Sequence, residues 1–124
     1  MSTSQNAVNP QHYTHQQSGI ICNDITRHLS FNRGNAIKYL WRLGQKDESN
    51  QELRKAIWYL NDEFNYFGHA PAYHYASLSV LNAKLNKLAL YQSDIERELF
   101  NFIVFGYNEH LQRAIKIIKE MLDE

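Results

Sequence analysis

The chain has 124 residues with 13 basic and 13 acidic side chains, so no global field draws it onto nucleic acid, which weighs against a general DNA- or RNA-coating protein. Hydrophobic residues make up 44% and aromatics 13%, which argues against disorder and supplies a core for about one domain. A single cysteine, Cys22, rules out an intrachain disulfide, and there is neither a long apolar run to span a membrane nor a signal-peptide pattern in MSTSQNAVNPQ, so the expected setting is a reducing cytosol.

Residues 1–9 are small and polar and read as a flexible tail ahead of one helical domain over 10–124. Residues 10–20 read as an extended or turning segment. A first helix is expected at about 21–30, with Ile21, Ile25 and Leu29 on one face. Asn32 is placed to cap a second helix that runs to about Leu43 and stops at Gly44. Ser49 and Glu52 have capping-box spacing ahead of a third helix, whose stripe is Leu53, Ala56, Ile57, Leu60 and Phe64. Gly68 to Pro71 breaks the chain. A fourth helix fits about 72–90, with Leu78, Leu81, Leu85 and Leu88 on one side.

Ser93 and Glu96 repeat the capping-box signature for a fifth helix, apolar on most sides through Ile95, Leu99, Phe102, Ile103 and Phe105. Gly106 interrupts it. The last helix, about 108–123, carries Leu111, Ile115, Ile118 and Leu122. No strand alternation is found. The fold expected is all-α, a compact single-domain bundle of five or six helices, with a motif-bearing half at 10–64 and an apolar packing or oligomerisation half at 72–124. The wide apolar stripes near the C-terminus suggest a homo-oligomer.

Charge is uneven along the chain. Residues 27–55 hold seven basic side chains (Arg27, Arg33, Lys38, Arg42, Lys46, Arg54 and Lys55) against three acidic ones, an excess that suits a small anion better than a long polyanion. With Gly34 at zero and about 100° per residue, Lys38, Arg42, Asn35, Lys46 and Tyr39 fall between about 40° and 140°. Leu43, Ala36, Leu40, Ile37 and Trp41 fall between about 180° and 340°, so one face is apolar and the other cationic. Arg42 can grip a phosphate in bidentate fashion, Lys38 adds a mobile charge, and Asn35 can donate to a phosphate oxygen or read a base edge. Gly34 would let a ligand approach the backbone. On spacing alone the competing reading is a solvated basic face, the usual fate of such charges.

On the third helix Lys55 and Tyr59 are four apart near Asp62, either a second wall of the site or a surface pair between Lys55 and Glu52. Trp58 lies between faces and could stack on a ligand or join the core. His12 and Tyr13 could close a site, His12 by carrying a proton and Tyr13 by stacking, or could pin the N-terminal segment to the helices. Asp24 is a further candidate base. No phosphate-loop or dinucleotide-binding glycine motif exists, and no metal site is expected. A Cys22 nucleophile has no supporting signature.

The blocks NPQHY at 9–13, GIICNDI at 19–25, FNRGNAIKYLWRLGQK at 31–46 and LRKAIWYL at 53–60 carry a resemblance. Over about residues 8–64 the chain resembles a small phage-encoded family that includes a nucleotide kinase of T-seven-like coliphages without a phosphate loop. The resemblance implies a phage nucleotide-binding protein in the host cytoplasm, a nucleotide kinase-like protein acting on deoxynucleoside monophosphates. It implies Lys38, Arg42 and His12 in catalysis, and Tyr13, Asn35, Lys38, Tyr39, Arg42, Lys46, Lys55 and Tyr59 in binding the nucleotide. No cofactor is firmly implied, although the kinase reading calls for ATP as phosphate donor. The alternatives are a protein that sequesters a nucleotide or nucleotide signal without chemistry, and a helical protein–protein interaction module.

Overall fold

The computed structural model describes residues 17–43, 49–66 and 77–122. Six helices are described: α1 (Cys22–Thr26), α2 (Phe31–Trp41), α3 (Ser49–Tyr66), α4 (Ser77–Ala89), α5 (Asp94–Phe105) and α6 (Asn108–Met121). No strand occurs among the described residues, so the fold is all-α. α2 lies along α3, α6 packs on both α3 and α5, α5 also meets α2, and α1 bridges α2 and α4. One core runs through all of them, from Ile25 and Ile37 through Leu60 and Leu81 to Ile103, Leu111 and Ile118.

Local chemistry sets the helix boundaries. The Ser93 hydroxyl accepts from Glu96 N–H and the Glu96 carboxylate accepts from Ser93 N–H, so the expected capping box starts α5. α2 starts earlier than expected. Ser30, not Asn32, is its N-cap and accepts from Arg33 N–H at 3.3 Å. Asn32 is buried inside the helix, where its amide donates to Asp62 at 3.0 Å. The helix before it is shorter than expected: α1 runs Cys22–Thr26, and Ile21, its N-cap, is 60% exposed and does not share the buried face of Ile25. The α2 helix ends at Trp41 with Arg42 as C-cap; Gly44 and Gly68–Pro71 lie outside the described residues.

The stripes expected on α4 and α6 face inward. Leu81, Leu85 and Leu88 of α4 and Leu111, Ala114, Ile115 and Ile118 of α6 are buried within this chain. α5 buries Leu99, Phe100, Ile103 and Val104 but leaves Ile95 exposed. The buried members of these stripes find their partners within one chain.

Among the described residues, Arg33 and Glu63 form a fully buried charge pair. Arg33 is completely buried, and its Nε donates to Glu63 Oε2 at 2.8 Å. Its Nη1 donates to the carbonyls of Ile103 and Gly106, both at 2.9 Å. Those carbonyls sit at the C-terminal end of α5, where helical partners run out and the helix dipole favours a cation. Ser30 completes the cluster, its hydroxyl 3.4 Å from both Glu63 oxygens. The chain can turn sharply here because Gly106 has no side chain; a Cβ there would collide with Phe102 O and the His110 side chain.

Breaking one half of this pair strands a buried charge. Glu63→Gln should lower the unfolding free energy by about 3–5 kcal/mol in urea denaturation. The apolar double replacement Arg33→Met/Glu63→Leu should recover part of that. It should stay about 1–3 kcal/mol below wild type because the α5 carbonyls lose their donor. A Glu63→Gln loss under about 1 kcal/mol would show that the pair does not organise the core.

Candidate functional site

The sequence-predicted side chains converge where α2 lies on α3. Tyr39 and Tyr59 stack with ring centroids 5.8 Å apart and planes 15° apart. Three cations gather around the Tyr39 ring: Lys38 Nζ at 4.7 Å from its centroid, Lys55 Nζ at 5.2 Å and the Arg42 guanidinium carbon at 6.0 Å. These are cation–π distances, and the ring's negative face is what lets three like charges share so small a space. Among the described residues, the carboxylate that stands with them is Glu52. Glu52 is buried, 3.0 Å from Arg42 Nε and 3.9 Å from Lys55 Nζ. The Arg42 contact is an ion pair without hydrogen-bond alignment, since Glu52 Oε2 has no aligned donor among the described residues.

Lys38 is exposed and has no carboxylate partner among the described residues. The surface pairing considered for Lys55 is thus present but loose, while Arg42 holds the buried Glu52 more closely. Asp62 accepts from the Asn32 amide at 3.0 Å.

Asn35 lies on the same helix face, but its amide donates back to Phe31 O at 2.8 Å, so that group is not aimed at a phosphate. Asp24 is likewise engaged: it accepts from Ile21 N–H at 3.1 Å as the start of α1 and lies 3.9 Å from Lys84. His12, Tyr13 and Lys46 lie outside the described residues. No group of three or more potential metal ligands occurs among the described residues.

Two rings join the face that the cationic pattern did not include. Phe31 is 75% and Trp58 60% exposed, and both meet Tyr59 edge-on, at 5.9 and 5.1 Å. Their positions carried a signal. On the same wheel Phe31 falls at about 60°, between Lys38 and Arg42, and Trp58 lies about 100° or more from the apolar stripe of its own helix. Beside Phe31 an open pocket of about 210 Å³ is walled by Thr26 at the end of α1, by Leu29 and Ser30 of the α1–α2 turn and by Phe31, Gly34, Asn35 and Lys38 of α2. Gly34 is buried there against Thr26 and Leu29, so it is the chain itself that first uses the close approach.

A family model described as a protein of unknown function (DUF3310) matches residues 8–61. No curated protein and no solved structure matches the chain. The matched residues include α1, α2 and the part of α3 that carries Lys55 and Tyr59, and stop short of Glu63.

Cys22 packs against the core, and burial pushes its thiol up to about 11, with nearby Lys38 opposing the shift. The thiolate is the nucleophile, so this thiol is inert near neutral pH. At pH 9 the unfolded chain should react with iodoacetamide about fifty times faster than the native protein, the ratio set by thiolate fractions at a pKa of 9.0 and about 11. Stability also carries the sign: the native thiol keeps its proton where the unfolded one loses it, so this contribution falls as pH rises above 9.0. Equal alkylation rates in the two states would contradict the buried placement.

Proposed function

We propose that the α2–α3 face binds a nucleotide through its phosphate, with Lys38, Arg42 and Lys55 as the phosphate-holding cations. The observation that carries this reading is their convergence from two helices onto the Tyr39 ring with one carboxylate between them. Like charges this close repel one another, and a bound dianion relieves that repulsion as well as gaining its own attraction. Glu52 pairs with Arg42 and keeps the guanidinium at the seam, while Lys38 is the mobile charge. Tyr39 and Tyr59 act as the scaffold on which the cations rest.

Phosphoryl transfer extends the same reading. ATP would pass its γ-phosphoryl group to a phosphate oxygen of a deoxynucleoside monophosphate, leaving ADP and a nucleoside diphosphate. The cations would stabilise charge on the transferred group. Asp24 is unsuited to act as base because it caps α1, and His12 is the remaining candidate. The proposed setting is the cytoplasm of a phage-infected cell, as the resemblance implies.

Titration calorimetry against deoxynucleoside monophosphates tests the binding step. Lys38→Ala should weaken binding by about 1.5–3 kcal/mol, as for a hydrogen bond to a charged group, with Tm unchanged. Arg42→Ala should weaken binding and also lower stability, because Glu52 is left buried without its closest cation. Wild-type affinity in Lys38→Ala would remove this face from the account. In a coupled assay with ATP, turnover that Lys38→Ala abolishes supports the kinase; binding with no turnover makes the protein a nucleotide sequestrant.

A further inference from the structure

We infer that the pocket beside Phe31 holds the base of the nucleotide, as a subsite separate from the Tyr39 cation cluster and joined to it through Lys38. This inference rests on the nucleotide reading above. It starts from which rings remain open to a ligand. Tyr39 has Tyr59 stacked on it and three cations about it, so a base has no face left to take there. Tyr59 is bracketed by Tyr39, Phe31 and Trp58. Phe31 is both strongly exposed and part of a pocket wall.

The pocket suits one flat heterocycle. At about 210 Å³ it falls below the roughly 300–1,000 Å³ of sites that enclose a drug-sized ligand, so it accepts a base and leaves sugar and phosphate outside. Leu29, Phe31 and Gly34 give it apolar walls. Its hydroxyls are committed to the protein: Ser30 Oγ accepts from Arg33 N–H and contacts Glu63, and Thr26 Oγ1 donates to Asn23 Oδ1 at 3.4 Å. One side-chain polar group remains for the base: the amide nitrogen of Asn35 is fixed on Phe31 O, which leaves its Oδ1 as an acceptor for a base N–H. Lys38 Nζ is kept for the phosphate, which lies away from the hydrogen-bonding edge of a base. Lys38 both lines the pocket and stands 4.7 Å from the Tyr39 ring, so a base in the pocket places its phosphate toward the cations.

Gly34 offers a controlled way to test this. A methyl group there would meet Thr26 O at 3.5 Å and Leu29 Cβ at 4.0 Å, ordinary contacts, so Gly34→Ala narrows the pocket without straining the fold. The experiment is an NMR-monitored titration of wild type, Gly34→Ala, Phe31→Ala, Trp58→Ala and Lys38→Ala with deoxynucleoside monophosphates and with 2-deoxyribose 5-phosphate. The expected result is that Gly34→Ala and Phe31→Ala weaken nucleotide binding by about fivefold or more, the low end of the loss of a base–aromatic stack, and leave the sugar phosphate unaffected. Lys38→Ala should weaken both ligands. Trp58→Ala should weaken neither. Wild-type nucleotide affinity in Gly34→Ala and Phe31→Ala, or a loss confined to Trp58→Ala, overturns the base pocket alone. A wild-type protein that binds nucleotide and sugar phosphate equally does the same, and one that binds neither overturns the phosphate reading and this inference with it.

Discussion

Burying a guanidinium with no access to water is costly unless its donors are met inside the protein, and Arg33 meets that demand at Nε and Nη1, though not at Nη2, by tying three parts of the chain together. Its charge pairs with Glu63 of α3, and its Nη1 holds the carbonyls of Ile103 and Gly106 at the end of α5. Because either partner alone would be a stranded buried group, the arrangement is close to all-or-none. It fixes the rotation of α2 and α3 about their axes as well as their separation. The α5–α6 turn follows, since Gly106 must be both a sharp junction and an acceptor for Arg33.

The outward face depends on that constraint. With Arg33 and Glu63 turned inward, Lys38 and Tyr39 of α2 come beside Lys55 and Tyr59 of α3 at the seam. Stacked tyrosines and a buried Glu52 then hold cations that would otherwise spread into solvent. A seam between two rigidly registered helices is a better place for a phosphate than a loop, because the charges are arranged before the ligand arrives. The pocket beside Phe31 arises from the same capping choice: Ser30 starts α2, and so Phe31 occupies its first position at the edge of the seam.

Much of this was legible in the sequence, and the failures have identifiable causes. The capping box at Ser93, the inward stripes of α4 and α6, and the split of α2 into apolar and cationic faces rest on local spacing and hold in the fold. Arg33 is where sequence and fold differ most. It counts as one more cation in a basic stretch, yet it falls at about 260° on the wheel, in the middle of the apolar sector. Glu63 likewise flanks the stripe of α3. An opposite-charge pair lodged in two apolar faces was the available signal for a buried ion pair. Ser30 and Asn32 are both good caps, and only Asn32's tertiary bond to Asp62 decides between them. Asn35 read as a free amide because sequence does not reveal its bond back to Phe31. His12, Tyr13 and Lys46 fall outside the described residues.

The account stands on a nucleotide phosphate meeting the α2–α3 seam. A crystal structure of the full chain grown with a deoxynucleoside monophosphate addresses that most directly. The account predicts phosphate oxygens within hydrogen-bonding distance of Lys38 and Arg42. A nucleotide bound away from that seam, with both side chains left to solvent and Glu52, would contradict it.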